Sequence, residues 1–518
     1  MGSQRITRRD FLNALKLAGM LLPASGLIDL FGQSVRGPNQ AGGPNFIVLL
    51  FDTLTARHMS LHGYERNTTP NIDKFAKRST VFHQHQAASS HTKPSTASLL
   101  TGVYPWSHRA LNFYTTLMDA YGTANLFGML PGYYSMAYTH NTYAATILSQ
   151  MESGINDLKP VEELMIYDPN RLPNIFRNDY PMGFYAAKRW KDNYMGPSNS
   201  LFLNPVFTVS ESVSAERAVR DYRQTFPLGL NHNQEGYQYV LEDAIDWIAQ
   251  SSATVQSPFL GYFHLLPPHE AYTPRVDFVG NFAEDGHRLV EKAPHYFSDR
   301  VSQPELEGFS QRYDEYIGYV DSEFSRLIGE LEMLGVLDTT YLILTSDHGQ
   351  MFERGIHGHN SPTLYESLIH VPLLVHAPGQ TRGMDIHSPT SITDILPTIL
   401  HLAGQNLPER LEGRPLPSLG GIEDHERVIF SMDGKENHKM KPLTAATFSA
   451  TRWPYKLINY QGYRGYDNID ELYDLENDPE EINNLAGSSP AIVSEMRQEL
   501  AKARSVAELA SIGATVNQ

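Results

Sequence analysis

Three apolar runs constrain this chain more than anything else in it. Asn45-Phe46-Ile47-Val48-Leu49-Leu50-Phe51 stops at Asp52, Phe259 to Leu266 runs into Pro267-Pro268-His269, and Thr340-Tyr341-Leu342-Ile343-Leu344-Thr345-Ser346 stops at Asp347-His348-Gly349. Runs that are continuously apolar and rich in strand formers belong to strands covered on both faces. Helical spacing lies between them. Tyr316, Ile317, Val320, Phe324, Leu327 and Leu331 recur after Tyr313 until Gly335, and an amphipathic stretch from Tyr239 to Ile248 precedes the second run. Strand and helix therefore alternate, as in an α/β fold on an open sheet. The ligand crevice of such a sheet lies beyond the carboxyl ends of its strands, so the three runs aim Asp52, Asp347, His348 and His269 at one place.

A chain of 518 residues exceeds the usual size of one domain, which predicts a large core with a smaller region appended. Residues 1–36 read as an address and linker: Thr7-Arg8-Arg9-Asp10-Phe11-Leu12 resembles a twin-arginine export motif. The apolar stretch Leu15 to Leu30 that follows is broken by Gly19, Pro23, Ser25 and Gly26, too short and interrupted to cross a bilayer. The expectation is passage through the twin-arginine translocase to the periplasm or the exterior, with no stable transmembrane segment. Residues 37–424 read as the catalytic domain, with an aromatic-rich, irregular insertion around 156–227. From 425 to 518 short strands such as Arg427 to Met432 and Tyr455 to Tyr460, then a polar helix from Pro490 to Arg504, predict a C-terminal α+β subdomain. Lys456, in the second of those strands, reads as a surface residue. The net charge of −17 excludes a generic nucleic-acid binder. The absence of cysteine removes thiol nucleophiles and zinc-thiolate sites, leaving His, Asp, Glu, Ser and Thr for any chemistry.

In Thr92-Lys93-Pro94-Ser95-Thr96-Ala97-Ser98-Leu99-Leu100-Thr101-Gly102, Pro94 suits the first helical position and Gly102 the exit, which places Thr92 just ahead of a helix N-terminus. Unpaired amides and the positive end of the helix dipole favour an anion there, whether a bound oxyanion or a developing alkoxide. A threonine hydroxyl is a weak nucleophile, and a divalent cation would activate it. Asp52, Asp347 and His348 are the candidate ligands, with Thr92 beside them.

At this point the chain resembles the sulfatase branch of the alkaline phosphatase superfamily. The segment from Asn45 to Asp52, then Thr55 to Tyr64 and Thr68 to Asp73, look like the opening of a sulfatase catalytic domain, and Thr92 to Gly102 resembles the signature C-x-P-S-R-x-x-L-L-T-G. Ser346 to Gly349, Tyr365-Glu366-Ser367 with Val371-Pro372-Leu373, Thr393 to Thr398 and Glu471 to Pro479 continue the resemblance in order. It implies a large central, mostly parallel sheet flanked by helices, a smaller C-terminal α+β subdomain, and metal-dependent hydrolysis of esters. The chain also departs from the pattern. Thr92 replaces the Cys or Ser that is oxidised to formylglycine, Thr96 the signature Arg, Thr53 the second acid of the opening pair, and His348 the usual Asn. His140 or Asn141 stands near one sulfate-binding Lys position, and His357 and His359 near the other. A Thr nucleophile beside an Asp-His pair resembles the phosphoryl-transfer relatives of the superfamily.

The resemblance therefore implies cleavage of phosphate mono- or diesters through a covalent Thr92 intermediate. His269 would contact a non-bridging oxygen or protonate the leaving group, with His359 and Lys93 as lesser candidates for neutralising the ester's charge. One divalent ion is expected. Imidazole ligation favours zinc or manganese over calcium, which remains the alternative. The substrate is expected to be a small-molecule, glycan or lipid-head-group ester. Two readings compete: a sulfuric ester hydrolase acting on a sulfated glycan or aryl sulfate, and a non-catalytic homologue that binds an anion or glycan.

Overall fold

Eight strands form one sheet: β1 (Asn45–Phe51), β2 (Thr80–Phe82), β3 (Tyr134–Thr139), β4 (Asp157–Leu158), β5 (Phe259–Leu265), β6 (Thr340–Thr345), β7 (Leu373–His376) and β8 (Met384–Ile386), in the order β8-β2-β7-β6-β1-β5-β3-β4. The computed structural model describes residues 43–166, 213, 216, 217 and 220–516, with side chains as far as Ser505. The three apolar runs are the three central strands. β1 lies between β5 and β6 and pairs parallel with both, so that Leu50 stands level with His264 on one side and Thr345 on the other. β7 runs antiparallel to β6 and to β2, while the other pairings are parallel.

Every residue of β1 and of β5 is buried, because helices cover both faces of the sheet. These are α1 (Pro70–Ala76), α2 (Thr92–Thr101), α3 (Thr142–Gln150), α4 (Leu241–Thr254), α5 (Gln303–Met333) and α6 (Ile395–Leu402). Phe46, Val48 and Leu50 pack with Leu99 and Leu100 of α2, Ile147 of α3 and Ile395 of α6. The alternate residues Ile47, Leu49 and Phe51 pack with Phe75 of α1, Ile245 of α4 and Ile317 and Phe324 of α5. Successive side chains of a strand point to opposite faces, so one apolar run feeds two cores. A capping box between Ser302 and Glu305 starts α5, and Gly335, at φ 66°, follows its end.

Beyond these lie four antiparallel strands in sequential order, β9 (Ile429–Asp433), β10 (Ala446–Arg452), β11 (Tyr455–Gln461) and β12 (Ile469–Asp474), and a helix α7 (Pro490–Val516). Phe430, Met432, Phe448, Leu457, Leu472 and Met496 belong to the same apolar cluster as Phe46, Val48 and Leu50. This region therefore completes one of the two main cores.

The structure corrects several local expectations. The helix begins at Thr92 itself, with His91 as its N-cap and Pro94 inside the first turn. Proline fits there because first-turn N–H groups have no intrahelical acceptor. α7 continues past Arg504. Lys456 is fully buried, its amine 2.9 Å from both Glu366 and Glu481. The start of the expected insertion adds Asp157–Leu158 to the sheet edge, whereas 167–212, like the export segment 1–36, lies outside the described residues. Among the described residues no helix is long and apolar enough to cross a membrane.

Candidate active site

Asp52 follows β1 and Asp347 follows β6, so neighbouring parallel strands bring two fully buried carboxylates together. Each has one oxygen occupied and one free. Asp347 Oδ1 accepts from the Thr53 and His348 backbone N–H groups, at 3.3 and 3.0 Å, and Asp52 Oδ2 accepts from Asn141 Nδ2 at 2.6 Å. Asp52 Oδ1 and Asp347 Oδ2 have no hydrogen-bond partner. His264, on β5, brings its Nε2 to 3.2 Å from Asp52 Oδ2 and 3.7 Å from Asp347 Oδ2, also without a well-formed hydrogen bond. Donor atoms of Asp52, His264 and Asp347 all lie within 4.8 Å of one another. His348 Nε2 stands on the other side, 3.4 Å from Asp347 Oδ2 and 3.9 Å from Asp52 Oδ1. Unpartnered carboxylate oxygens inside a protein are costly unless a cation satisfies them. Oxygen and imidazole donors of this kind suit a divalent transition metal or zinc.

Thr92 joins this group through two contacts. His348 Nδ1 donates to the Gly349 carbonyl at 2.9 Å, which places a proton on Nδ1 and makes Nε2 the ring nitrogen that faces the site. That Nε2 lies 3.2 Å from Thr92 Oγ1. Asn141 Nδ2 donates to Thr92 Oγ1 at 3.3 Å as well as to Asp52. The orientation of Asn141 is fixed because its Oδ1 caps α3, accepting from the N–H groups of Tyr143 and Ala144. All ten residues of α2 are buried, and Ser95 of that helix donates to the Asp347 carbonyl. The hydroxyl is thus held at the start of a fixed helix.

Three more imidazoles stand around it. The His359 ring is 4.5 Å from that of His348, 5.0 Å from His269 and 5.7 Å from His91. His359 Nδ1 donates to Gln350 Oε1 at 2.8 Å, and Gln350 Nε2 donates to the Tyr272 hydroxyl at 2.6 Å, which orients the amide. His269 Nδ1 donates to the Glu270 carbonyl at 2.7 Å. Burial pushes His359 and His91 well below the ordinary imidazole range, with the neighbouring rings and Lys435 acting the same way. For Asp52 burial alone would raise the pKa, but the neighbouring imidazoles of His264, His269 and His348 hold it below the ordinary carboxylate range. For His264 burial is likewise overcome, and Asp347 and Asp52 raise it.

The sequence-derived set divides accordingly. Asp52, Asp347, His348 and Thr92 come together, and His269 and His359 border them. Lys93 does not turn toward the carboxylates: its amine donates to the Phe113 carbonyl at 2.7 Å. His357 stacks on Phe309 at 4.0 Å and meets the Tyr272 hydroxyl at 2.9 Å. His264 and Gln350 were missed, and Asn141 was noticed only as a neighbour of the site. An imidazole inside the apolar run from Phe259 to Leu266 was the signal for His264.

Comparison with known proteins identifies the lineage. The family model described as Sulfatase matches residues 44–405, most of the chain. This chain belongs to the sulfatase family. A second model, N-sulphoglucosamine sulphohydrolase, C-terminal, matches residues 355–506. Arylsulfatase K of Xenopus laevis is 24% identical over 511 residues, covering 96% of this chain and 88% of that protein. The match to arylsulfatase K of Bos taurus, at 26% identity, spans 53% of this chain and 56% of that protein. Choline-sulfatase of Rhizobium meliloti is 24% identical, covering 86% and 83%. Among solved structures, the phosphonate monoester hydrolase of Agrobacterium radiobacter shares the fold, with a TM-score of 0.65 and 18% identity over 90% of this chain and 96% of that one. As a sulfatase-family member the chain is an ester hydrolase, and the family uses a divalent metal ion, which the buried Asp-His-Asp group suits.

Proposed function

We propose that this sulfatase-family chain hydrolyses phosphate mono- or diesters through a covalent intermediate on Thr92. The observation that carries the reading is the placement of Thr92 Oγ1, 3.2 Å from His348 Nε2 and bonded by Asn141, beside two carboxylates with free oxygens. Asp52, Asp347 and His348 would hold a divalent ion with Thr92, and His264 would join them. Bound there, such an ion supplies charge neutralisation and a lower hydroxyl pKa. Zinc or manganese suits the imidazole-containing donor set better than calcium.

The remaining work falls to the chain's own groups. Asn141 orients the Thr92 oxygen, and the amides at the start of α2 favour negative charge on it. Thr92 Oγ1, its proton having passed to solvent before the ester binds, bonds to phosphorus as the bond to the leaving oxygen breaks. His269, its Nδ1 fixed on the Glu270 carbonyl, gives a proton to that oxygen from Nε2. Water then attacks phosphorus, one of its protons passes to His269, and the bond from phosphorus to Thr92 Oγ1 breaks, returning Thr92 as the alkoxide that begins the next turnover. His359 borders the non-bridging oxygens, and Lys93 contributes at most its positive charge. Phosphorus is preferred because the threonine Cβ carries a methyl group and one oxygen. It cannot become an aldehyde hydrate, so the intermediate must be resolved at the central atom of the ester.

A second reading, sulfuric ester hydrolysis, is supported by the relatives named arylsulfatase and choline-sulfatase. The purified protein, with its metals quantified, is to be assayed on aryl sulfate, phosphate monoester, phosphate diester and phosphonate ester side by side. The phosphorus esters should turn over, acid quenching should leave phosphate on the Thr92 peptide, and Thr92→Ala should lose at least ~10³-fold in rate. Sulfate-only turnover, or an active Thr92→Ala, would overturn the proposal. For the N-terminal segment we propose twin-arginine export, supported by Arg8-Arg9 and the modest apolar stretch after them. An Arg8→Lys, Arg9→Lys double variant should then accumulate in the cytoplasm, and unchanged fractionation would refute it.

A further inference from the structure

Beside the site the chain carries an aromatic collar that the chemistry above does not use. Tyr114 is 94% exposed and Phe113 38%, on the segment that follows Arg109. An exposed tyrosine on a loose loop would mean little, but this loop is anchored. Asn112 Oδ1 accepts from the N–H groups of Tyr114 and Thr115, and Thr115 Oγ1 accepts from those of Leu111 and Asn112. The amine of Lys93, next in sequence to Thr92, holds the Phe113 carbonyl. The Phe113 ring lies 5.2 Å from His91, the N-cap of the nucleophile helix, and 4.6 Å from Tyr143. Tyr143 in turn stands two residues after Asn141, which bonds Thr92 and Asp52. The collar is therefore mounted on the same elements that fix the nucleophile and the carboxylates, and Thr92 itself is only 5% exposed.

Apolar rings held at fixed places around a buried polar centre are how a small-molecule site grips the uncharged part of its ligand. Resting on the ester-hydrolase reading of Thr92, we propose that Phe113, Tyr114 and Tyr143 form the subsite for the organic group of the ester, and that this group is an aromatic ring. Tyr114 supplies an exposed ring face on an anchored backbone, and Phe113 and Tyr143, 4.6 Å apart, supply the edge against which the ring lies. Discrimination by this collar acts on binding, since none of the three rings reaches the reacting atoms.

The test uses the full-length protein and two pairs of non-hydrolysable anions, phenylphosphonate with methylphosphonate and benzenesulfonate with methanesulfonate, measured as inhibitors and by calorimetry. The phenyl member of at least one pair should bind ~10-fold or more tightly than its methyl partner. Tyr114→Ala should cut that ratio to ~3-fold or less, and Tyr114→Phe should keep it. The methyl compounds should bind Tyr114→Ala as they bind the wild type. Being exposed, Tyr114 can be replaced without loss of folding. If phenyl and methyl compounds bind alike, or if the ratio survives Tyr114→Ala, the subsite proposal falls while the ester-hydrolase reading stands. If no member of either pair binds, both fall together.

Discussion

Thr53 sits in the left-handed region at φ 59°, a conformation that costs a β-branched residue about 1–3 kcal/mol. Two contacts hold it there: its N–H donates to Asp347 Oδ1, and its carbonyl accepts from the Tyr313 hydroxyl. The sharp exit from β1 therefore links the two carboxylates. Where the family's second acid is missing, His264 offers an imidazole to the same pair. Replacing His264 by Ala should weaken metal binding by ~10–100-fold, read by chelator competition and metal content, with circular dichroism as the folding control. Unaltered affinity would remove His264 from the donor set. Asp52, Asp347, His348 and Thr92 were legible in the sequence because strand ends and helix starts place them. His264 was not, since an imidazole in an apolar strand reads as core. Lys93 was misplaced for a geometric reason: neighbours on a helix point about 100° apart, so adjacency to Thr92 says nothing about direction.

The buried cluster around Lys456 shows how one element is locked to another. Its amine, on β11, pairs with Glu366 at the start of the helical turn Glu366–Ile369 and with Glu481 after β12, while Glu481 also accepts from the Glu366 N–H at 2.7 Å. Removing one partner of such a group leaves a buried charge uncompensated. Lys456→Ala should therefore lose ~3–5 kcal/mol of stability by urea denaturation, whereas a Lys456, Glu366 and Glu481 triple replacement by apolar residues should lose much less. Equal losses would show that the charges themselves contribute little. Sequence pattern could not reveal this cluster, because the strand formers of β11 identify a strand without saying what covers each of its faces. It did reveal α5 and the three central strands, whose periodicities are long and uninterrupted. The start of α2 was misjudged by two residues because proline is acceptable anywhere in a first turn.

Buried imidazoles tie the whole molecule to pH, and His108 and His85 are two of them. His108 accepts the Ala110 N–H at Nδ1 and donates from Nε2 to the Pro94 carbonyl, so a second proton would face an N–H. Burial lowers its pKa from 6.5 to about 3 despite the Pro94 carbonyl, and His85 is pushed to about 3 by burial as well. For a base whose pKa is depressed by folding, the stability present above the unfolded value is lost as pH falls toward the folded value. Unfolding free energy should drop by ~1.4 kcal/mol per pH unit for each ring between about pH 6 and pH 4. His108→Gln should reduce that slope by one such increment, measured by chemical denaturation across the range, and an unchanged slope would mean that His108 is already charged in the native state. A different consequence follows from α2, whose ten residues are all buried. A reactive group carried on a helix without a solvent face cannot be re-aimed by small changes, since any substitution there disturbs packing on every side. New preferences among esters can arise cheaply only at the entrance, in segments such as 109–119 that touch solvent, so the interior chemistry should persist while selectivity drifts.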